Sequence, residues 1–430
     1  MVTWSCGGYR AQEHPVNRFR AHSAPTRISV TNQVIDLMER ATGIEPATRS
    51  LGSYCSTTEL HPRRPSHNTA LRRPKAVAAE RPRHNVKACE RLARKLGANL
   101  SYSSGMTELA VTAPRAKFAD PELTAKGEAR ARVRLDALRT LWVNTGSLCN
   151  IECRNCYIES SPENDRLAYI TRTEAAAFLD EIARDGWPVS EIGFTGGEPF
   201  MNPEIIEMLG DALGRGFSVL VLTNAMQPML RPRILSGLAE LRDAHGSRLV
   251  LRVSLDHYSK RLHEEERGEG TFDRTVEGID WLSRGGFALA LAGRTRWGES
   301  EETERAGYAA LIAARGWPVD AHDRSSLVLF PEMDLSADVP EITESCWGIL
   351  HKDPKDVMCA SIRMVVKRKG AAAPVVLPCT LLPYDQAFEM GATLADAARA
   401  DGGMFERGAV KLCHPHCAKF CVLGGGSCSS

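Results

Sequence analysis

Short apolar runs alternate with amphipathic stretches between residues 138 and 335 of the chain. Six of these runs have the continuous apolar character of parallel strands that are covered on both faces. They lie at 141–144, 192–195, 219–222, 249–255, 288–291 and 327–330. Because helical patterns separate the runs, we predict an α/β fold built on a partial (β/α)6 barrel, similar to a TIM barrel.

Helix signals fall between the predicted strands. Thr171 and Glu174 form a capping box, and Gly186 follows as a helix-ending residue. Asn202 before Pro203 suits the start of another helix. The pattern predicts further helices at 231–243, 272–284 and 301–315. In such barrels the active site lies at the C-terminal ends of the strands, so the residues that follow each strand are the functional candidates.

Composition and sequence pattern argue against a membrane protein and against a secreted protein. The 430 residues are 43% apolar and 25% charged, as in an ordinary globular protein. No apolar run reaches the roughly 18 residues that a membrane span needs, and the N-terminus has no secretory signal pattern. We therefore expect a cytoplasmic protein without a membrane partner.

Charge divides the chain into two parts. Residues 1–105 hold 17 basic and 7 acidic residues, whereas the remainder holds 37 and 46. The first part lacks any sustained helical or strand period, and residues 40–62 resemble the translated antisense strand of a transfer-RNA gene. We interpret residues 1–105 as disordered or as a spurious extension before Met106, in preference to a basic nucleic-acid arm. No nucleic-acid partner is expected, and residues 106–137 are predicted to form a helical lead-in.

The chain has 13 cysteines, and they are clustered. Without an export signal, clustered cysteines indicate metal ligands rather than disulfides. Cys149, Cys153 and Cys156 follow the first predicted strand. Three thiolates on a short loop can bind three irons of a cubane cluster and leave the fourth iron open. A structural zinc site, the alternative, would require a fourth nearby ligand and usually paired CxxC spacing.

Small or polar residues follow the next strands as well. Gly196, Gly197, Glu198 and Pro199 follow the second strand, where the glycines allow a close backbone approach and the carboxylate can accept from an ammonium group. Two more candidates, Ser254 and Asp256, lie at the end of the fourth strand on one face. Thr223 and Asn224 follow the third strand, and we interpret that pair as loop capping.

These residues together resemble the radical S-adenosylmethionine (SAM) enzymes over residues 138–335. The resemblance implies that Cys149, Cys153 and Cys156 bind a [4Fe–4S] cluster whose open iron chelates SAM. It also implies that the Gly196–Pro199 motif contacts the methionyl ammonium of SAM and that Ser254 and Asp256 lie near the ribose. Asn155 departs from the family pattern, which has an aromatic residue before the third cysteine.

The implied chemistry is radical chemistry. A reduced cluster cleaves SAM to methionine and a 5′-deoxyadenosyl radical, which abstracts hydrogen from a substrate. The electron would come from a low-potential donor such as flavodoxin or ferredoxin. The substrate is either a small molecule or a peptide, the latter as in a peptide or protein maturase. A non-catalytic iron–sulfur or zinc-binding regulatory protein is the alternative from another class.

The C-terminal cysteines indicate a second metal site. The pattern predicts a hairpin about Gly370 that would bring Cys359 opposite Cys379 at its open end. Residues 345–430 resemble the small, cysteine-rich SPASM/Twitch domain of some radical SAM enzymes, although the cysteine spacings differ. The resemblance implies an auxiliary [4Fe–4S] cluster held by Cys359, Cys379 and two or more of the last four cysteines, which are Cys413, Cys417, Cys421 and Cys428.

Other polar residues have weaker signals. His414 and His416 could be ligands in a zinc variant, but flanking loop positions are the preferred interpretation. Arg294 and Arg296 follow the fifth strand and could grip a carboxylate or phosphate. His257 and Tyr258 are possible relays. We interpret Cys346 as a buried residue and the run 264–266 as a solvated face.

Overall fold

The computed structural model describes residues 116–332 and 337–426, so the predictions for residues 1–105 and for Cys428 lie outside the described residues. Eleven strands occur in these ranges. They are β1 (Arg132–Val133), β2 (Thr140–Asn144), β3 (Glu191–Thr195), β4 (Ser218–Thr223), β5 (Leu249–Ser254), β6 (Ala288–Thr295), β7 (Leu327–Pro331), β8 (Ile362–Val366), β9 (Val375–Leu377), β10 (Phe405–Glu406) and β11 (Ala409–Lys411). Strands β2–β7 confirm the six predicted strands.

Eight α-helices and one π-helical segment accompany the strands in the described ranges. They are α1 (Arg172–Asp185), α2 (Ile205–Gly214), α3 (Pro232–His245), α4 (Lys260–Arg267), α5 (Thr271–Arg284), α6 (Glu301–Arg315), α7 (Cys346–Leu350), α8 (Leu394–Arg399) and the π segment Cys417–Leu423. The capping box at Thr171 and the left-handed Gly186 bound α1 as predicted. Helix α4 was not predicted, because its sequence is almost entirely charged or polar.

The main sheet has eight strands in the order β7-β6-β5-β4-β3-β2-β8-β9. Every neighbouring pair is parallel except β8 and β9. Within the described ranges the edge strands β7 and β9 do not pair, so the barrel is partial and open. The α/β fold is therefore confirmed, with the helices supplying the parallel crossovers.

Strand β8 extends the barrel sheet. It pairs in parallel with β2, with Leu141 beside Arg363. We expected the hairpin of β8 and β9 to belong to the small C-terminal domain, but pairing to β2 places it in the same sheet as the barrel. The C-terminal region and the barrel thus share one hydrogen-bonded framework.

The register of the hairpin differs from the prediction. Strands β8 and β9 pair Met364 with Leu377 and Val366 with Val375. Continued outward, this register sets Ile362, not Cys359, opposite Cys379. The predicted face-to-face placement of the two cysteines is therefore wrong, because Cys359 lies before β8 in a 3₁₀ turn (Met358–Ala360).

No helix occurs at residues 116–137, where we predicted a helical lead-in. Pro121 and Gly127 interrupt this stretch, and its β1 strand pairs with β11 in a small sheet of order β1-β11-β10. The Glu341 carboxylate accepts from the backbone N–H groups of Phe118 (2.7 Å) and Ala125 (2.6 Å). Long-range partners, rather than a helix, satisfy this backbone.

Apolar side chains of the main sheet are packed in the hydrophobic core. Trp142 on β2 is fully buried. A Cβ at Gly193 on β3 would lie 2.4 Å from the Trp142 ring, so glycine is needed there for the ring to fit. None of the helices in the described ranges combines the length and the apolar character of a membrane span.

Candidate functional site

Three cysteines share one cavity at the C-terminal ends of the barrel strands. Cys149, Cys153 and Cys156 all line it. The loop that carries them is fixed at both ends: Cys149 N–H donates to the Ser161 carbonyl (3.0 Å), and Ser160 N–H donates to the Cys156 Sγ (3.4 Å). The fold therefore delivers the three thiols to the position where parallel barrels hold their chemistry.

The environment of the thiols favours their neutral form. Burial, and then the charge of the nearby Glu198 carboxylate, raise the pKa of Cys149 to about 12. Burial likewise raises the pKa of Cys153 to about 11, although the Arg267 charge opposes the shift. Thiolates in this cavity therefore need positive charge, which bound iron supplies when it displaces the protons.

Gly196 and Gly197 bring the end of β3 against the cysteine loop, and both line the cavity. Gly196 has a φ of 143°, a conformation that other residues rarely adopt. A Cβ on Gly197 would lie 2.1 Å from the Leu148 carbonyl oxygen. The two glycines thus permit contact between two backbones beside Cys149.

Glu198 is buried behind the cavity wall. Its carboxylate accepts from the Thr223 hydroxyl (2.8 Å), the Asn224 N–H (2.9 Å) and the Phe200 N–H (3.2 Å). Burial raises the pKa of Glu198 to about 7, and the Asn224 and Thr223 hydrogen bonds oppose the rise. The carboxylate therefore ties the end of β3 to the end of β4. Pro199 is also buried and does not line the cavity.

Thr223 and Asn224 cap their loop as predicted: the Thr223 hydroxyl accepts from the Ala225 N–H (2.9 Å), and the Asn224 side-chain oxygen accepts from the Met226 N–H (3.0 Å). Both residues also line the cavity, and the Asn224 side-chain nitrogen lies 3.8 Å from the Cys149 Sγ. It also donates to the Asn150 side-chain oxygen (2.9 Å). The position after a parallel strand was the signal that could have identified it.

Ser254, the last residue of β5, and Asp256, two residues after it, both line the cavity. Arg267 grips the Asp256 carboxylate with two hydrogen bonds of 2.7 and 3.0 Å, and the Arg294 Nε lies 3.6 Å away. Burial alone would raise the pKa of Asp256, but the Arg267 and Arg294 charges outweigh it and hold the pKa at about 2. The cavity wall therefore carries an ionised, paired carboxylate.

Helix α4 supplies two residues that sequence reasoning missed. Arg267 lines the cavity, and Glu266 is buried beside it. The Glu266 carboxylate accepts from the Asn155 N–H (2.8 Å) and side-chain nitrogen (2.9 Å). The prediction of a solvated face is therefore wrong for Glu266. Asn155, the residue that departs from the family pattern, has a structural role here because it donates to Glu266.

Of the four remaining barrel candidates, one lines the cavity and three do not. Arg294 lines the cavity, whereas Arg296 pairs with Glu266 (2.5 Å) outside its wall. Neither His257 nor Tyr258 lines it. The Tyr258 hydroxyl donates instead to Glu299 (2.9 Å).

A second, smaller cavity is lined by four cysteines. They are Cys359, Cys379, Cys417 and Cys421. Within the described ranges no three histidine, cysteine or acidic side chains converge on one metal ion. A cubane cluster instead spreads its thiolates over four irons, so four thiols around one cavity fit such a cluster.

Four other C-terminal candidates do not line this second cavity. The Cys413 thiol donates to the Phe118 carbonyl (3.2 Å). The His414 Nδ1 accepts from the His416 N–H (3.1 Å), and neither ring lines the cavity. Cys346 is half-buried rather than buried.

The π segment connects the two cavities. Phe420 lines the main cavity, and its ring stacks on Phe330 with centroids 5.8 Å apart. Its neighbours Cys417 and Cys421 line the second cavity. Leu381, close to Cys379, also lines the main cavity. The C-terminal region thus closes one side of the main cavity with apolar side chains.

Comparison with known proteins finds similarity over the barrel. Residues 143–292 match the family model of the Radical SAM superfamily, and this range includes most of the strands that carry the main cavity. The AdoMet-dependent heme synthase of Methanosarcina barkeri is 33% identical over 144 residues, 33% of this chain and 38% of that protein. The subtilosin biosynthesis protein AlbA of Bacillus subtilis is 32% identical over 145 residues, 34% of this chain and 30% of that protein. The chain therefore spans only about a third of the length of these relatives.

Among solved structures, Streptococcus suis SuiB bound to S-adenosylmethionine matches with 14% identity and a TM-score of 0.45. That match covers 62% of this chain and 66% of SuiB. The structure of anSMEcpe with bound AdoMet matches with 13% identity and a TM-score of 0.44, over 61% of this chain and 80% of that one.

Proposed function

We propose that this chain is a radical SAM enzyme that cleaves SAM reductively and abstracts hydrogen from a substrate. The observation that carries the proposal is the single cavity shared by Cys149, Cys153 and Cys156 at the barrel mouth, with Gly196 and Gly197 beside them. The superfamily match over residues 143–292 supports it. The cavity-lining thiols are the proposed ligands of a [4Fe–4S] cluster.

When bound, cluster and SAM supply a 5′-deoxyadenosyl radical, while the protein supplies position and electrostatics. Arg267 and Arg294 place positive charge beside the thiols, which offsets the negative charge of thiolates. Ser254 and the Asp256 carboxylate are the proposed polar contacts for the ribose of SAM. Phe330 and Phe420 present apolar surface to the cavity, which favours exclusion of water from a reactive intermediate.

The substrate is proposed to be a small molecule or a peptide. The matched relatives carry names of both kinds: a heme synthase and a GTP 3′,8-cyclase, but also a mycofactocin maturase and a bacteriocin biosynthesis protein. We propose a low-potential donor such as flavodoxin or ferredoxin, and a cytoplasmic location. We further propose an auxiliary [4Fe–4S] cluster on the four cysteines of the second cavity, as in SPASM/Twitch domains.

The test is production of 5′-deoxyadenosine by the full chain. The protein is reconstituted anaerobically with iron and sulfide, then given SAM and dithionite, and the product is quantified by mass spectrometry. We expect deoxyadenosine from the wild type and from the control Cys346→Ala, whose thiol lines neither cavity. The Cys149→Ala/Cys153→Ala/Cys156→Ala triple variant should make none.

The alternative, a non-catalytic regulator, gives a different result. Such a protein would bind iron, make no deoxyadenosine, and show the same electron paramagnetic resonance (EPR) spectrum of its reduced cluster with and without SAM. That combination would overturn the proposal. An enzyme that waits for its substrate would still change its spectrum when SAM binds to the open iron.

A further inference from the structure

Arg363 is a buried cation in the C-terminal region. It lies on β8 and is 1% exposed. Its Nη1 donates to the carbonyls of Cys359 and Ile362, both at 2.7 Å. The Nε and Nη2 atoms are buried and have no hydrogen-bond partner in the described ranges. Two of the three guanidinium nitrogens are thus left without an acceptor in the described part of the protein interior.

A second fully buried arginine side chain shows what Arg363 lacks. Arg130 is 0% exposed, and its Nη2 pairs with the Glu341 carboxylate at 2.6 Å. Arg363 forms no ion pair with any carboxylate in the part of the chain that the structure describes. Burial of a charge without a partner costs several kcal/mol, so a retained buried cation indicates a negative partner.

The second cavity offers that partner. Cys359 and Cys379 are the ionisable groups that act on the Arg363 charge. Both line the cavity together with Cys417 and Cys421. Four thiolates would bring four negative charges to this place, and a cluster adds sulfide acceptors for N–H donors. The donor set and the unpaired cation therefore complement each other.

We propose that Arg363 is a positioning residue that balances the negative charge of the cluster in the second cavity and raises its reduction potential. Reduction adds one more negative charge, and a fixed positive charge nearby stabilises the reduced form more than the oxidised form. Net charge and hydrogen bonds to the sulfurs are the terms that set such potentials. The inference rests on the proposed auxiliary cluster.

The experiment isolates this cluster in the full-length triple variant, which lacks the ligands of the main cavity. Arg363→Met removes the charge at similar length, and Arg363→Lys keeps it. Iron and sulfide are counted per chain, and the potential is measured by EPR-monitored redox titration. Arg233→Met, an exposed change on α3, controls for the loss of one positive charge.

We expect Arg363→Met to make the cluster at least tenfold harder to reduce, which is a fall of about 59 mV for a one-electron couple. Arg363→Lys and Arg233→Met should stay within about threefold of the parent. Should the Met variant not fold, Arg363→Gln tests the same loss of charge while N–H donors remain.

Stability supplies a second readout. Iron loading should raise the thermal midpoint of the triple variant that retains Arg363 more than that of its Arg363→Met derivative. Only the protein with Arg363 has a buried charge for the cluster to neutralise. The inference would be overturned if the iron-loaded triple variant and its Arg363→Met derivative had equal reduction potentials and equal thermal shifts. That result would leave the proposed auxiliary cluster intact. A triple variant that binds no iron would instead remove the auxiliary cluster, and the inference with it.

Discussion

At the scale of single residues, the barrel contains two kinds of buried carboxylate. Asp256 is ionised because Arg267 and Arg294 surround it. Glu304 on α6 is fully buried, and neither of its carboxylate oxygens has a hydrogen-bond partner in the described ranges. Burial, and then the charges of Glu299 and Glu301, raise the pKa of Glu304 from its ordinary 4.5 to about 7. The surroundings of Asp256 stabilise its charged form, whereas the surroundings of Glu304 stabilise its protonated form.

Glu304 predicts a pH dependence of stability. Between pH 4.5 and 7 the folded chain holds a proton that the unfolded chain has lost, so the free energy of unfolding falls as pH rises through this window. Above pH 7 the decrease in the free energy of unfolding is complete, and it amounts to roughly 3 kcal/mol or less. Glu304→Gln should therefore gain stability relative to wild type from pH 5 to pH 8, measured by anaerobic urea unfolding. Glu302→Gln, exposed on the same helix, should show no such trend, and parallel curves for wild type and Glu304→Gln would contradict the prediction.

At this scale, sequence reasoning could group candidate residues that are neighbours along the chain. The Cys149 loop and the two glycines could be identified because each group occupies consecutive or nearly consecutive positions after a strand. Arg267 and Arg363 could not, because their significance depends on partners that only the folded sheet brings near. A lone arginine in a charged helix has no local feature that marks it as buried.

At the scale of elements, the contact between β3 and the cysteine loop controls the main cavity. Gly197 N–H donates to the Gly146 carbonyl (2.8 Å), and Glu198 N–H donates to the Leu148 carbonyl (3.1 Å). The end of β3 therefore holds the segment that leads into Cys149. Only a glycine leaves room for this contact.

Gly197→Ala should separate the two elements, because its Cβ would meet backbone atoms that cannot move without the loop. We expect iron bound at the first site to fall toward the content of the triple variant, and deoxyadenosine to fall at least tenfold. Gly214→Ala is the matched control, since its added Cβ meets no atom within 4 Å. Normal iron content in Gly197→Ala would refute this account of the contact.

The strands were predictable to within a few residues, since strands covered on both faces are uninterrupted apolar runs. The position of β8 in the sheet was not, because its sequence reads equally well as one arm of an isolated hairpin. Pairing with β2 is a long-range choice that no local pattern encodes. Helix α4 escaped notice for the opposite reason: besides Leu262, its buried face contains the polar or charged residues His263, Glu266 and Arg267.

At the scale of the whole molecule, the C-terminal region extends the open barrel sheet. Strand β8 covers the edge of β2, and both strands of the hairpin are largely buried. The Tyr384 hydroxyl donates to the Ile158 carbonyl in the cysteine loop (2.6 Å). Main cavity, cysteine loop and C-terminal region therefore depend on one another.

A chain that ends at residue 345 should consequently not fold. It would lose several fully buried apolar side chains from β8 and β9, each contributing roughly 1.5–3 kcal/mol, against a usual total stability of about 5–15 kcal/mol. We expect aggregation on expression and no cooperative thermal transition by circular dichroism.

The matched control for that truncation is a chain that ends at residue 426, which keeps all four cysteines of the second cavity. It should melt and bind iron like the full chain. A cooperative, soluble 1–345 fragment would show that the barrel is independent of the C-terminal region.

The π segment Cys417–Leu423 has a consequence for how such a protein can change over evolutionary time. Seven residues present Phe420 to the main cavity and Cys417 and Cys421 to the second one. An insertion or deletion that reshapes the main cavity here would shift the cysteines as well, whereas an exchange at Phe420 alone would not. New substrate preferences can therefore arise in this wall by substitution but not by a change of length.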